Sequence, residues 1–541
     1  MFRSLQNGWV LFAILFSLIV IVPIATVGSF VFINEGDTWL HLKETVLLNY
    51  ITNSLVIALC VFIFSVIIGT MTAWIISMFN FPCCKYIDWL LILPLAIPSY
   101  ALCYVYSETF GFNGFFSQMF QWLTNSNSYL VNFYSIEGAI FIFTFSLYPY
   151  VYILARQSFI SQSASYIEIS KISGHNLVKI FFKNSIPYAR PAIIGGATLV
   201  IMETLADYGV ADYLGIDTFT KGIYRTWFNL GDINSAGKLS SILLLTVFFV
   251  IFIERTSRRK AKYNKNIRND RPLIKRNLSG FNAYLAITLC LIPVFLGFFI
   301  PLITLISWCF KSISYWDLYS FIKIIFSSFS IAFIAAILCM ACAIIIVYGL
   351  RVNYKFVSPF ARIASMGYSI PGAVAAIGIL IPIIWMDNNL NIFFSKYFNY
   401  STGLLLSGSL AALLFAYLIR FLALSIQSVE NAFIRVPSSL DNAAKVLGAT
   451  NKNILKNILI KLNINGICLG ILVVFVDILK ELPATIILRP YDFSTLAIKA
   501  HELAMDERLY EASLPLITII FVCLCPLFVI NKITTKYKRE N

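Results

Sequence analysis

Four acidic residues stand at matching positions in two apolar stretches of the chain. Glu203 and Asp207 are four residues apart in IIGGATLVIMETLADYGV. Asp477 and Glu481 are four residues apart in GICLGILVVFVDILKELPA. If each stretch is a helix, this spacing places both carboxylates on one helix face. A carboxylate inside a membrane costs at least about 2.5–3.5 kcal/mol, so such groups normally face a protein interior or a wet cavity. The pattern therefore predicts a translocation pathway for a multivalent cation.

Two simpler interpretations of the acids remain open. One is that each carboxylate is neutralised by a neighbouring cation, for which Lys480 beside Glu481 is the candidate. The other is that some of the acids lie near the water. Glu203 follows Pro191 by 12 residues, which is about 18 Å along a helix and near the middle of a bilayer.

No catalytic or metal-binding pattern accompanies the acids. The three histidines, His41, His175 and His501, are scattered along the sequence, although His501 beside Glu502 lies near the predicted outer face, where a metal would enter. The chain also lacks the G-x-x-x-x-G-K-[ST] loop that binds nucleotide phosphates. We therefore predict no catalytic residue, no metal site and no bound cofactor, and we predict that the chain is not an enzyme.

The composition is typical of a protein with many membrane spans. Hydrophobic residues make up 59% of the chain and charged residues 12%, and the mean hydropathy is +0.81. These values do not fit a soluble globular protein. The formal net charge of +15 comes mainly from short basic segments between apolar runs. The positive-inside rule explains that distribution without a nucleic-acid partner.

Apolar runs of about 20 residues, the length that crosses a bilayer, divide the chain into two six-span halves. In the first half, residues 1–254, the predicted spans are 9–32, 51–78, 86–107, 136–158, 191–213 and 239–254. A basic linker, 255–281, precedes the second half, 282–541, with spans 282–308, 322–350, 360–385, 402–424, 464–487 and 510–531. The predicted fold is an all-α integral membrane protein of about 12 transmembrane helices, with both termini and the linker in the cytoplasm.

Proline interrupts the predicted third span of each half, in LPLAIP at residues 93–98 and in SIPG at residues 369–372. Proline frees a carbonyl group and kinks a helix, which neighbouring helices tolerate. Two interpretations remain open: kinked helices that help a pathway to open and close, and bent helices that only pack.

The two halves are related by an internal duplication. An offset of 274 residues superposes Gly174 on Gly448 and Glu203 on Asp477. A fixed period of that size indicates a duplicated domain rather than a solenoid. Each copy joins a polar loop containing a glycine, between the fourth and fifth spans, to an apolar helix with two acids. The loop is either a surface helix or a docking element for a cytosolic partner, and its repetition favours docking.

The two loops resemble the "EAA" loop of the permease subunits of ATP-binding-cassette importers. The matching residues are Glu168, Gly174 and Pro187 in the first loop and Asn442, Ala443, Ala444 and Gly448 in the second. In that family the loop forms a coupling helix that sits in a groove of the ATPase subunit. The second loop departs from the pattern, with Asn442 in place of the glutamate and Lys461 in place of the proline. Whether the two loops couple equally to the ATPase therefore stays open.

The segments 202–209, 219–225 and 480–485 are similar to the ferric-iron branch of these permeases. The resemblance covers essentially the whole chain and implies two fused permease domains of the type I importer fold in the inner (cytoplasmic) membrane. It implies that ferric iron passes from an extracytoplasmic binding protein to the cytoplasm. It also implies two copies of a separate ATPase, which uses the ATP. Thiamine, polyamine and sulfate importers share the loop motif, and the acids disfavour sulfate.

A gradient-driven secondary transporter is the main alternative, because twelve spans in two halves also describe that class. The two glycine-containing loops favour an importer, since a gradient-driven carrier has no need of a docking element. A membrane-bound enzyme is a third alternative, which the scattered histidines and acids do not support.

Overall fold

The computed structural model describes residues 8–34, 36–111, 114–124, 132–162, 172, 175–259 and 275–540. The α-helices of the first half are α1 Gly8–Ile19, α2 Ile21–Ser29, α3 Asp37–Thr45, α4 Leu47–Met78, α5 Cys84–Leu90, α6 Ser99–Phe110, α7 Phe115–Thr124, α8 Ile136–Ile160, α9 Leu177–Ile180, α10 Ile186–Ala206, α11 Gly209–Tyr213, α12 Phe219–Phe228 and α13 Ile233–Arg259. Those of the second half are α14 Phe281–Val294, α15 Ile300–Ser312, α16 Leu318–Val352, α17 Tyr354–Ala364, α18 Gly372–Phe398, α19 Leu410–Phe433, α20 Ser438–Val446, α21 Asn451–Asn453, α22 Ile464–Leu479, α23 Pro483–Leu488, α24 Leu496–Met505 and α25 Leu509–Glu540.

Shorter elements connect these helices. The 3-10 helices are Phe30–Phe32, Leu93–Ala96, Ile313–Tyr315 and Gly367–Ser369, and the π-helices are Phe181–Ser185, Phe295–Phe299 and Ile454–Ile460. The strands are β1 Phe79–Asn80 and β2 Arg276–Asn277. They form a parallel pair that attaches the end of the linker to the end of α4. Lys275 strengthens this attachment, because its Nζ donates to the carbonyl of Ile76 at 2.6 Å. Residues 260–274 of the linker lie outside the described part of the chain.

Ten helical segments of the described chain are long and apolar enough to cross a membrane, and there are up to 12 if each of two bent pairs counts as one span. The ten are Gly8–Phe32, Leu47–Met78, Ile136–Ile160, Leu177–Ala206, Ile233–Thr256, Phe281–Tyr315, Leu318–Val352, Gly372–Phe398, Leu410–Phe433 and Leu509–Phe528. The bent pairs are Cys84–Ala96 with Ser99–Phe110, at 89°, and Asn451–Ile460 with Ile464–Leu479, at 80°. The predicted all-α membrane fold is confirmed.

The two third spans differ from the prediction, because they are broken rather than kinked. Over 86–107 the chain leaves α5, passes through a 3-10 turn and restarts as α6 after Pro98. Over 360–385 it leaves α17, passes through a 3-10 turn and restarts as α18 after Pro371. The two prolines have ψ angles of 145° and 143°, which are not helical. Proline lacks an N–H and suits the start of a helix, so each one begins a new helix here.

The first helices of each half pack on the opposite half. Helices α1 and α2 lie against α16, α17 and α18, and α14 lies against α4 and α5. Trp9 meets Tyr348 edge to face at 5.3 Å between ring centroids, and the two largest buried apolar clusters both contain side chains from each half. The halves that the sequence delimits therefore share their cores, and the domain boundaries themselves stay a prediction.

Candidate translocation site

All four predicted acids line one cavity between the halves, with a volume of about 120 Å³. Glu203 and Asp207 come from the end of α10 and the residue after it, and Asp477 and Glu481 come from the corresponding part of the second half. The start of α6, the middle of α8 and the middle of α19 complete the wall. The structure thus brings together residues that the duplication separates by 274 positions.

The sequence spacing predicted that the two acids of each pair lie on one helix face. The structure contradicts this prediction. Helix α10 ends at Ala206, and Asp207 is extended with ψ 136°. Helix α22 ends at Leu479, two residues before Glu481. The spans predicted at 191–213 and 464–487 are therefore each a long helix followed by a break and a short helix. Pro483 explains the second break, because proline cannot continue a helix interior.

The second acid of each pair caps the short helix that follows the break. Asp207 Oδ1 accepts a hydrogen bond from the backbone N–H of Val210 at 2.8 Å. Glu481 Oε1 accepts from the N–H of Ala484 at 2.9 Å, and its Oε2 accepts from the N–H and the hydroxyl of Thr485 at 3.0 and 2.6 Å. A side-chain oxygen that accepts from the first N–H groups of a helix stabilises the helix start. The breaks therefore fix two carboxylates at the cavity wall.

Two cations lie beside the acids of the second half. Arg420 Nη1 donates to Glu481 Oε1 at 3.0 Å, and both side chains are buried. Lys480 Nζ lies 3.3 Å from Asp477 Oδ1 and donates to the carbonyl of Leu95 at 3.2 Å. The candidate pairing of Lys480 with Glu481 is therefore replaced by two different pairs. This arrangement satisfies buried charges that would otherwise be unpaired.

Among the residues that the structure describes, the acids of the first half have no such partner. Glu203 Oε1 accepts a hydrogen bond from the hydroxyl of Tyr368 at 2.7 Å. Within the described ranges, neither Glu203 nor Asp207 forms an ion pair. The lining contains four carboxylates and two cations, so it carries two more carboxylates than cations. That surplus is the main electrostatic feature of the cavity.

The sequence reasoning missed Arg420, Tyr150 and Tyr368, which also line the cavity. Arg420 had a detectable signal, because it is the one charged residue in the apolar stretch LAALLFAYLIRFLALSI. A charged residue within a span is a functional-site hypothesis by default. The two tyrosines gave no such signal among the 28 in the chain. They reach the cavity from α8 and from the break before α18.

The second glycine-containing loop forms helix α20, which fits both a surface helix and a docking element, so docking stays a prediction. Asn442 and Ala443 are exposed, and Ala444 is buried. Gly448 has φ +83°, and it ends the helix because the N–H of Ala449 bonds to the carbonyl of Ala444 at 2.9 Å. A glycine at this left-handed position is a common helix terminator. The mid-loop glycine therefore has a geometric role.

Arg351 attaches α20 to the membrane helices. Its Nε and Nη2 donate to the two carboxylate oxygens of Asp441 at 2.5 and 3.2 Å. Its Nη1 donates to the carbonyl of Phe433, the last residue of α19, at 3.0 Å. Val446 and Leu447, at the end of α20, are 88% and 87% exposed. The loop thus combines a rigid attachment with a small exposed apolar surface.

The first loop is described only in part, and Glu168 and Gly174 lie outside the described residues. Pro187 is the second residue of α10, a position where its missing N–H costs little. From Leu177 to Ala206 this half runs as one span without a sharp bend, whereas the second half, with Lys461 in place of proline, bends by 80° before Ile464. Beside this bend, the side-chain amide of Asn463 donates a hydrogen bond to the carbonyl of Leu459 at 2.9 Å. Such side-chain bonds compete with the backbone hydrogen bonds of a helix and often bend it.

Comparison with known proteins gives the class of protein. Residues 65–262 match the family described as "Binding-protein-dependent transport system inner membrane component". Over 493 residues the chain is 23% identical to the Fe(3+)-transport system permease protein FbpB 2 of Haemophilus influenzae, and the match covers 90% of each protein. Residues 65–262 therefore carry a domain of this binding-protein-dependent transport family, and the chain resembles a transport permease over most of its length. It is therefore a transport protein of the inner membrane, and not an enzyme.

Other relatives of the permease match shorter parts of it. The sulfate transport system permease protein CysT of Escherichia coli is 24% identical over 152 residues, which is 28% of this chain and 53% of that protein. The molybdenum transport system permease protein ModB of Haemophilus influenzae is 23% identical over 163 residues, which is 30% of this chain and 69% of that protein. Membership of the family implies a substrate-binding protein and an ATPase as partners.

Proposed function

We propose that the permease passes ferric iron from an extracytoplasmic binding protein into the cytoplasm, through the cavity between its halves. The charge of the cavity is the observation that carries the proposal. Its lining has four carboxylates and two cations, and Glu203 and Asp207 have no cation partner among the described residues. Such a lining attracts a multivalent cation and repels an oxyanion, because like charges at short range are unfavourable in a low-dielectric site.

A relative whose match covers most of the chain supports the same substrate. FbpB 2 of Haemophilus influenzae is named as an Fe(3+)-transport permease, and 90% of its length is matched. The relatives named for sulfate and molybdenum transport match 28% and 30% of this chain. The acidic cavity argues against sulfate as the substrate here. Thiamine and polyamines are cationic organic alternatives, so a direct comparison of substrates is needed.

We further propose that two copies of an ATPase subunit dock on the permease, one at each glycine-containing loop. Helix α20, with its exposed Val446 and Leu447 and its link through Arg351, supports docking at the second loop. The first loop, with Glu168 and Gly174, takes the equivalent position by the duplication. The termini and the linker then lie in the cytoplasm together with both loops. ATP is used by the partner, and the permease holds no cofactor.

The competing function is that of a carrier driven by an ion gradient. Helix α20 argues against it, because the fixed helix and its exposed apolar end have no role in a carrier without a partner. The family match in residues 65–262 also favours the binding-protein-dependent class. The energy source is nevertheless open to direct measurement.

The test is uptake into proteoliposomes that contain the permease, its ATPase and the iron-loaded binding protein. Labelled ferric iron, sulfate and thiamine are compared, each with ATP, without ATP, and with the proton gradient collapsed. We expect iron uptake that requires ATP and survives collapse of the gradient. ATP-driven uptake of thiamine or sulfate, with no uptake of iron, would contradict ferric iron as the substrate. Iron uptake that is independent of ATP and is lost with the gradient would overturn the energy source.

A further inference from the structure

A second and larger cavity lies beyond the acidic one. Its volume is about 750 Å³, and Tyr208, Asp212 and His501 line its wall. Tyr208 directly follows Asp207, so consecutive residues at the break after α10 line the two cavities. The alternation of the spans puts this outer cavity at the end of the molecule opposite α20. In the topology of the proposed function, a substrate released outside would therefore enter this cavity before the acidic one.

Three potential metal ligands from both halves converge on the wall of the outer cavity. His501 Nε2 lies 3.3 Å from Asp212 Oδ2, and the hydroxyl of Tyr208 lies 2.9 Å from the same oxygen. Ligand atoms held at about 2.0–2.2 Å from a metal ion stand about 3 Å apart. The separations of Tyr208 and His501 from Asp212 Oδ2 are therefore compatible with ligands on one metal ion.

The imidazole of His501 is already oriented for such a role. Its Nδ1 lies 2.7 Å from the hydroxyl of Tyr104, and the side chain is only 3% exposed. When Nδ1–H donates to the tyrosine oxygen, the lone pair of Nε2 is directed to Asp212 and to the cavity. A hydrogen bond to the second ring nitrogen is the usual support of a metal-binding histidine.

We propose that Tyr208, Asp212 and His501 form an outer binding site for a ferric ion on its way to the acidic cavity. The choice of metal rests on the proposed function. A phenolate and a carboxylate are hard, anionic oxygen ligands, and imidazole also binds iron. Among the described residues no three His, Cys, Asp or Glu side chains group as metal ligands, so the phenol of Tyr208 is essential to the site.

The charge of the outer cavity indicates the form in which the metal arrives. Its lining has four Lys and Arg side chains and three carboxylates, which are Lys221, Arg225, Arg489, Lys499, Asp212, Glu502 and Asp506. Arg489 and Lys499 both approach Glu502, at 2.7 and 3.9 Å. A wall with these cations favours a ferric ion that still carries anionic ligands, such as a small carboxylate chelator. The three protein ligands then leave the remaining metal positions to that chelator or to water.

The site also joins the two halves of the permease. Tyr104, Tyr208 and Asp212 belong to the first half, and His501 belongs to the second. A bound ferric ion therefore bridges the halves at the outer end of the pathway. Movement of the halves relative to each other would separate Asp212 from His501 and release the metal inward.

The experiment is titration of the purified full-length permease in nanodiscs with ferric citrate, followed by visible absorption. Ferric ion bound by a tyrosine produces a phenolate-to-iron charge-transfer band, which reports the proposed ligand itself. We expect the band in the wild type, its loss in Tyr208→Phe, and at least about tenfold weaker binding in Asp212→Asn and His501→Gln. Tyr224→Phe is the matched control, because Tyr224 lines the same cavity without contacting Asp212 or His501 by a described hydrogen bond.

Two results would overturn the site: absence of the band in the folded wild type, and an unchanged band in Tyr208→Phe. Gel filtration in detergent and thermal unfolding confirm that each variant is folded. Uptake measurements separate this inference from the proposed function. A wild type that shows the band but takes up no iron contradicts the transport function and leaves the site standing. ATP-driven iron uptake without the band contradicts the site alone.

Discussion

Asp207 and Glu481 hold the same structural position in the two halves of the permease. Each follows the end of a long helix, and each accepts a hydrogen bond from the backbone N–H three residues later, Val210 at 2.8 Å and Ala484 at 2.9 Å. Each of the two acids therefore caps a short helix, and in the proposed function each is also a charge of the pathway. Substitutions that separate these two roles test each of them.

The capping role of Asp207 predicts a difference between two substitutions. Asp207→Ala removes the oxygen that accepts from Val210, and loss of a helix cap costs about 0.5–2 kcal/mol. Asp207→Asn removes the charge and keeps an oxygen acceptor. We expect a lower midpoint of thermal unfolding in detergent for the alanine variant than for the asparagine variant. Asp492→Ala, at an exposed position, is the control, and equal midpoints for both Asp207 variants would contradict the role.

The buried pair of Arg420 and Glu481 predicts strong coupling between two substitutions. Arg420→Met leaves a buried carboxylate without its cation, and breaking such a pair by removing one partner costs about 3–5 kcal/mol. Arg420→Met combined with Glu481→Gln leaves no unpaired charge, so we expect it to recover part of that loss. The free energies of unfolding of the two single variants and the double variant form a double-mutant cycle. Additive effects would show that the pair is not coupled.

The conformation of Gly448 predicts that the second glycine-containing loop requires a residue that tolerates a positive φ at this position. Its φ of +83° is unfavourable for a residue with a Cβ atom, by about 1–2 kcal/mol, although the space around it is open. We expect Gly448→Ala to weaken binding of the ATPase subunit, measured with the permease in nanodiscs. Gly448→Asn should bind more tightly than the alanine variant, because asparagine tolerates this conformation better. Wild-type affinity in Gly448→Ala would show that the end of α20 plays no part in docking.

The contacts of Arg351 predict that a substitution at this position reduces transport more than ATP hydrolysis. It bonds to Asp441 in α20 and to the carbonyl of Phe433 in α19, so it fixes α20, the proposed docking helix, to the spans. In Arg351→Leu we expect the ATPase to bind and to hydrolyse ATP, while less substrate is transported per ATP. Arg362→Leu, at an exposed position in α17, is the control. An unchanged ratio of uptake to hydrolysis would contradict this transmission role.

The sequence predicted the class of fold and the acids of the cavity because both depend on local composition. Long apolar runs and carboxylates within them are visible in the chain itself. The internal duplication then paired Glu203 with Asp477 before any contact was known. The structure brings these elements of the two halves to one cavity, and the assignment of the four acids to transport stays a prediction.

The helix breaks and the partners of the acids depend on contacts that the sequence pattern does not show. The apolar runs continue through Asp207 and Glu481, although the helices end before these residues. Hydropathy alone does not distinguish one continuous helix from two helices separated by a break. The prolines before α6 and α18 were visible, but whether they kink or restart a helix depends on the neighbouring helices. Arg420 reaches Glu481 from a different span, 61 residues away in sequence.

The most direct test is the rate of ATP-driven ferric iron uptake by the Glu203→Gln, Asp207→Asn double variant in proteoliposomes. Both amides keep the size of the side chain, and together they remove the two carboxylates that have no cation partner in the described part of the chain. We expect uptake to fall at least about tenfold, equivalent to about 1.4 kcal/mol, while assembly with the ATPase and the midpoint of thermal unfolding change little. Glu137→Gln, at an exposed position away from the cavity, should transport normally. Wild-type uptake in the double variant would show that these acids do not carry the cation.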